Sequence, residues 1–246
     1  MIKLPAIQGV IDRRILVNYR VDPQVIARLL PPPFRPQVVR GWAIAGICLI
    51  RLKGIRPRLW PKRCGIRSEN AAHRIAVTWD DDGTERQGVY IPRRDTDHWI
   101  NRLAGGRLFP GRHHHARFEV DESDDRLRVV MRSGDGSAHL EVSGRASDAW
   151  PDTSVFTSRD EASAFIERGA CGYSPTPRPG CHEGIELCCT GWAVRALEVE
   201  HVRSGFFEDA GIFPPGSASF DCALLMRDIA HEWRALPTIR EGAAAA

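Results

Sequence analysis

The chain has 246 residues, 43% of them apolar, and a formal charge of +3 with acids and bases interspersed. That length can bury a sizeable core, while the mild charge, without a Lys/Arg run carrying interleaved aromatics, argues against a nucleic-acid partner. No apolar run approaches the ~18 residues of a membrane helix, no apolar leader precedes a cleavage site, and the seven cysteines form no CxxC pair, so the expectation is a cytoplasmic protein with reduced thiols and no membrane partner.

Arg14 to Arg20 (RILVNYR) is rich in β-branched residues and reads as a strand. Asp22-Pro23 then supplies an N-cap and an N1 proline for a helix with Val25, Ile26, Leu29 and Leu30 at helical spacing, ended by Pro31-Pro32-Pro33. Gly41 to Leu52 is long and apolar, a buried strand, and Trp60 to Arg67 is irregular. His73, Ile75, Val77 and Trp79 share one face of a strand, Asp81-Asp82-Gly83 makes a hairpin turn, and Glu85 to Pro92 returns.

Asp95 to Leu103 reads as a short helix closed by Gly105. Gly105-Gly106 and Pro110 then form a tight turn that delivers Arg112 to His115 onto the entry of a strand. Along that strand Ala116, Phe118 and Val120 share a face with His114, and His113, His115, Arg117 and Glu119 share the other. Strands 113–120, 126–132 and 138–145 follow in meander order, with turns at Glu122-Ser123-Asp124 and Gly134-Asp135-Gly136.

Ser158 to Arg168 is a helix with a Ser158/Glu161 capping box and Gly169 as its stop. Cys171 to Glu183 is a Pro/Gly-rich loop, and strands resume at Ile185–Thr190 and Ala193–His201. Asp221 to Leu236 fits helical and strand periodicity equally. Strands with a few short helices predict an α+β, barrel-like fold. The strand–helix–strands order occurs early and again after position 138. No linker divides the chain, so residues 1–241 are expected to form one domain, with 242–246 (GAAAA, less its first glycine an alanine run) as a tail.

Three candidate sites stand out. The run His113-His114-His115 could wall a cationic pocket or contribute two metal ligands, since alternation puts only His113 and His115 on one side. A third ligand would have to come from elsewhere. Cys181-His182 and Cys188-Cys189 lack zinc spacing and read as core or loop residues. Glu69, at a strand entry, is a solvated loop residue or a general acid/base, and its own neighbourhood does not single it out. GxSxG, P-loop and Rossmann fingerprints are absent.

Four segments together resemble the acetoacetate decarboxylase-like superfamily, and within it the DUF2071-type branch. RRILVNYRVDPQVIARLLPPPFRP resembles the family's opening strand, its Asp-led helix and the exit from it. GIRSENAAHRIAV resembles its Thr-Glu-Ser stretch, GGRLFPGRHHHARFEVD its Gly-Arg-Glu and Pro-Lys-Lys segment, and SFDCALLMRDIAHEW its closing strand. The resemblance covers most of the chain and implies a mainly antiparallel, cone-shaped barrel. It also tips Asp221–Leu236 toward strand.

Decarboxylases of that family form an imine on a lysine whose pKa is lowered by the lysine beside it. By position the nucleophile falls on Gly111 and its neighbour on Arg112, while the family's pocket glutamate falls on Glu69 and its N-terminal pocket arginine near Arg13. Lysine occurs only at positions 3, 53 and 62, so acetoacetate decarboxylation is not expected. The resemblance implies a pocket for a small carboxylate or oxo-acid, bound by Arg112 and Arg13, with Glu69, His113 and His115 as proton-transfer groups. It implies no cofactor and no resident metal. A lyase or hydratase without imine chemistry, a non-catalytic binding or regulatory protein, and a metal-assisted hydrolase using the histidine run are the three functional expectations. Members of that family often assemble, which makes a homo-oligomer a further expectation.

Overall fold

The computed structural model describes residues 6–98 and 110–241. Thirteen strands join in one sheet: β1 (Ile7–Val21), β2 (Arg35–Pro36), β3 (Val38–Val39), β4 (Trp42–Pro57), β5 (Ile66–Asp81), β6 (Thr84–Thr96), β7 (His113–Ser123), β8 (Arg126–Ser133), β9 (His139–Ser147), β10 (Cys171–Pro175), β11 (Cys181–Thr190), β12 (Arg195–Ser204) and β13 (Ala218–Arg240). Among the described residues two α-helices accompany them, α1 (Pro23–Leu29) and α2 (Arg159–Arg168). The strand path runs β11-β10-β6-β7-β8-β9-β12-β13-β1-β4-β5-β2, and the β5–β6 pairing brings it back on itself, compatible with the cone-shaped barrel. Pairing is antiparallel except for β6 with β7 and β6 with β10.

The strands β1, β4, β5 and β13 are buried on both faces and divide their side chains between two cores. Ile15, Val17 and Tyr19 of β1 join Ala45, Ile47 and Leu49 of β4 in one, with Val129, Leu140 and Phe207 opposite. Leu16, Ile44 and Leu224 belong to the other, which Phe165 and Ile166 of α2 cover. This two-sided burial is why the sequence of β4 reads as a nearly unbroken apolar run.

The faces exchange at Asp12 and Asp228. Ile11 and its partner Ile229 sit in the helix-covered core, but Arg13 and Arg227 two residues on lie on the side of the first core. Asp228 adopts φ +54°, a left-handed conformation that aspartate tolerates better than most residues, and the β1–β4 register shifts between Ile11 and Arg13.

Local signals hold where they were strongest. Asp22 accepts a hydrogen bond from Gln24 N at 2.7 Å with Pro23 at N1, and Ser158 accepts from Glu161 N at 3.1 Å. The Glu161 carboxylate reaches Thr157 N rather than Ser158 N. Asp82 and Gly83, both at positive φ, make the β5–β6 hairpin, and 221–236 is strand, within β13.

Two expectations fail. Asp95 and Thr96 end β6 instead of starting a helix, because Asp95 is completely buried between Ala71 of β5 and His114 of β7 and chelates Arg93. Residues 99–103 of that expected helix, and the Gly105-Gly106 turn, lie outside the described residues. Within the expected loop 171–183, residues 171–175 are β10 and 181–183 begin β11, their edges paired with β6 and β13, so that the loop shrinks to 176–180.

Burial lowers the pKa of His73 to about 4 against the opposing pull of Asp95, and burial likewise lowers that of His231 to about 4. The unfolded chain therefore takes up more protons than the native one below the ordinary histidine value near 6.5. Stability is full above pH ~6.5 and declines as pH falls toward 4, by on the order of 2 kcal/mol per histidine before ordinary carboxylates titrate. Melting temperature followed from pH 7 to 4.5 should fall, and His73→Gln should flatten that slope; an identical slope would show that burial of His73 is not its source.

Candidate functional site

Strand register lines up a row of charges on the side of the first core. Arg13 of β1 lies directly opposite Arg227 of β13 and Arg51 of β4, and Arg51 opposite Glu69 of β5. Three adjacent arginines repel one another, and Arg13 is 0% exposed, so a buried counter-charge is obligatory. Glu69 supplies half of it. Glu122, from the far end of β7, supplies the rest: it continues the inward face of Ala116, Phe118 and Val120 by one more step of two.

The four groups close a ring. Arg13 donates from Nη2 to Glu69 Oε2 at 2.6 Å and from Nη1 to Glu122 Oε1 at 3.0 Å. Arg51 donates from Nε to Glu69 Oε1 at 2.5 Å and from Nη1 to Glu122 Oε2 at 2.6 Å. Each carboxylate thus bridges the two guanidiniums, one oxygen to each. Arg227 Nη1 lies 3.7 Å from Glu122 Oε1, with its side chain 39% exposed at the edge of the ring. Arg13 Nε, fully buried, has no hydrogen-bond partner. Burial works against ionisation of Glu122, but Arg13 and Arg51 overcome it and hold its carboxyl below the usual range. Burial also opposes the charge on Arg51, and Glu69 and Glu122 outweigh it to push that pKa up. Beyond Arg51, Asp12 bridges to Lys53.

A second polar cluster lies where β6 meets β7 and β8. Arg93 grips Asp95 with two bonds of 2.8 Å and reaches Ser133 Oγ at 2.6 Å and Asp135 at 3.3 Å. His114 Nδ1 is 2.8 Å from Asp135 Oδ2, and hydrogen bonds from Ser137, above all, hold the Asp135 carboxyl well below its usual range. His114 is therefore oriented by an ionised carboxylate, an arrangement suited to proton transfer.

Of the residues singled out from sequence, Arg13 and Glu69 meet directly in the ring. Arg112 is exposed, and its charge acts on Tyr90, whose pKa burial raises and Arg112 partly restores. His113 is half-buried and His115 exposed on the face away from the first core. His114 instead carries the acid partner. Among the described residues, no group of three or more His, Cys, Asp or Glu is placed to hold a metal ion. Gly111 adopts φ +106°, and a Cβ there would fall 2.8 Å from Ser174 Cβ, so the backbone at that position has no room for a side chain without rearrangement. Lys53 pairs with Asp12, and Lys62 lies in an exposed 3-10 turn, Lys62–Cys64.

Arg51, Glu122, Arg227 and Asp135 escaped the sequence reading, and His114 entered it only as a member of the histidine run. Arg51 left a trace as the lone charge inside an apolar strand. Glu122 had none, being indistinguishable from a turn residue until β7 is extended to Ser123.

A mainly antiparallel sheet whose path returns on itself agrees with the acetoacetate decarboxylase-like fold. The acetoacetate decarboxylase of Legionella pneumophila superposes with a TM-score of 0.61 at 12% identity, covering 94% of this chain and 87% of that one. An acetoacetate decarboxylase-like enzyme from Sphingomonas wittichii RW1 gives 0.59 at 12% identity, over 97% and 93%. The enduracididine biosynthesis enzyme MppR, in complex with pyruvate, gives 0.59 at 12% identity, over 98% and 91%. At such identity these likenesses establish the fold alone. Residues 11–225 match the DUF2071 family of uncharacterised conserved proteins, and the chain belongs to that family. Comparison with curated proteins gives no match. Among the described residues no helix is long and apolar enough to cross a membrane.

Glu69→Ala removes one of the two bridges and leaves buried Arg13 undercompensated. Urea denaturation should show a loss on the order of 3 kcal/mol, most of it recovered in the double variant Arg13→Met/Glu69→Leu. A loss under about 1 kcal/mol would mean that the ring behaves as an exposed ion pair.

Proposed function

We propose that the protein binds a small carboxylate or oxo-acid on the arginine row, and that imine chemistry plays no part. The observation that carries this is the convergence of Arg13, Arg51 and Arg227 on a single carboxylate, that of Glu122. Planar guanidiniums arranged around a carboxylate form a recognition site for that group, and the ring as built leaves one positive charge in excess: three arginines against two glutamates. A ligand carboxylate enters beside Arg227 and exchanges with Glu122, whose strand end, next to the Asp124 turn, can give way with the least disruption. The likeness to a pyruvate-bound neighbour is in keeping with an oxo-acid of that size. The role first assigned to Arg112 passes to this row.

An imine needs an unprotonated lysine amine in the pocket. Position 111 is glycine in a conformation with no space for a longer side chain, which supports the reading that the Schiff-base nucleophile is missing. Both oxygens of Glu69 are engaged by arginines, which commits the group to the ring. A second, catalytic reading has a specific observation behind it: the His114–Asp135 pair would then move the proton in a hydration, dehydration or enolisation beside the bound carboxylate.

Thermal shifts against pyruvate, acetate, lactate and succinate test the site. A ligand at a hundred times its dissociation constant adds about 2.7 kcal/mol, a rise on the order of 5–10 °C for a chain of this size. The shift should vanish in Arg227→Gln, persist in Arg112→Ala, and appear at roughly ten-fold lower ligand concentration in Glu122→Gln, which no longer competes as an anion. No shift with any of the four acids, in wild type and Glu122→Gln alike, would remove the carboxylate assignment. Borohydride added with pyruvate should leave the intact mass unchanged; a reduced adduct would restore imine chemistry.

A further inference from the structure

Outside the ring, the sheet carries a groove of about 690 Å³ bordered by β1, β4, β11, β13 and the turn that follows β4. Two rows of side chains form its floor. Cys188, Glu232, Gln8 and Arg56 are successive cross-strand partners from β11 to β4, and Thr190, Ala230, Val10 and Lys53 make the next row. Its volume suits a metabolite-sized ligand.

The charges of the groove are unequal in kind. Lys53 is neutralised by Asp12, and Arg234 by Glu232 at 2.8 Å. Arg56 and Lys62 have no carboxylate partner among the described residues. Arg56 donates instead to two main-chain carbonyls, from Nη1 to Gly54 O at 2.9 Å and from Nε to Trp60 O at 3.3 Å. Carbonyls fix the orientation of a guanidinium without cancelling its charge, and Nη2 retains its donors. Lys62 lines the same groove because the turn packs back onto β4: a Cβ on Gly65 would lie 2.6 Å from Gly54 Cα. Beside them Trp60 is 58% exposed, and Val10 on the floor 37%.

We propose that this groove binds a small organic phosphate, with its dianionic phosphoryl group between Arg56 and Lys62 and its organic part along Val10 and Trp60. Two uncompensated cations match a dianion better than a single carboxylate. A fixed guanidinium beside a mobile ammonium is a common pairing for a tetrahedral oxyanion. The site is independent of the arginine row, although Asp12 touches both.

Titration calorimetry of the full chain with AMP, inorganic phosphate and adenosine tests it. AMP should bind saturably and adenosine should not. Arg56→Gln and Lys62→Gln should each weaken AMP at least ten-fold, whereas Arg195→Gln, which removes an exposed arginine elsewhere, should leave it unchanged. AMP should also slow alkylation of Cys188 and not of Cys181, which lies at the other end of β11. Inorganic phosphate binding as tightly as AMP would keep the phosphoryl site and refute the contact with Val10 and Trp60. Absence of saturable AMP binding, undiminished binding in both groove variants, or an equal loss in Arg195→Gln would overturn the proposal. Lys62 is exposed, so its variant reports on binding even if Arg56→Gln perturbs the turn.

Discussion

Three arginines side by side on a sheet face are an electrostatic fault that the rest of the fold must correct. Arg227, Arg13 and Arg51 come together because β13, β1 and β4 are locked in register by apolar residues further along the same strands. The repulsion is relieved from two directions: by Glu69 in the same row and by Glu122 from a strand that reaches it only after the path has passed through β6. The ring is therefore also a fastening. It ties β7 to β1, β4 and β5, none of which it pairs with by main-chain hydrogen bonds, and shifting any one strand by a residue would turn its charge to the opposite face.

The change of face at Asp12 and Asp228 is what makes the fastening possible. With uninterrupted alternation, Ile11 and Ile229 would follow Arg13 and Arg227 on the face of Ile15 and Val17. The irregularity instead sends Ile11 and Ile229 under the helix-covered core and leaves Arg13 and Arg227 at the end of the other. Asp12 then serves a second purpose, because its carboxylate accepts from both Arg51 and Lys53 and separates the ring from the outer groove. Burial resists ionisation of Asp12, and Lys53 and Arg51 prevail in lowering its pKa.

What sequence made legible was local or periodic. Asp22-Pro23, Ser158 with Glu161, and Asp82-Gly83 specify caps and a turn through atoms within a few residues. The alternation of His114, Ala116, Phe118 and Val120 assigned the inner face of β7 correctly. Glu69 and Arg13 were found through resemblance, since nothing in their own neighbourhoods distinguishes them. The expected helix does not begin at Asp95, because Asp95 is taken up by Arg93 and Asp97 by the Glu69 N–H, partners that no helical pattern reports. His113 and His115 were grouped for sharing a face, and no local pattern shows that His114, on the other face, meets Asp135 of the β8–β9 turn. Charge rows across strands depend on register between distant segments, and register is invisible to a one-dimensional reading.

Arginine and lysine differ in what they can do in such an interior. A lysine may lose its proton and attack a carbonyl, and its reactivity depends on being held unprotonated next to another cation. A guanidinium keeps its charge and forms no imine, so on the proposed reading a pocket built from Arg13, Arg51 and Arg227 holds a ligand by charge and hydrogen bonding alone. Such a pocket binds tightly only if the positive charge is not already satisfied, and here Glu122 satisfies most of it. Occupancy by a foreign carboxylate must then be an exchange of one anion for another at nearly constant local charge, with the β7 end as the part that moves. On the proposed reading, the same glutamate that lets the empty fold tolerate three neighbouring arginines sets how strong an acid ligand must be to displace it.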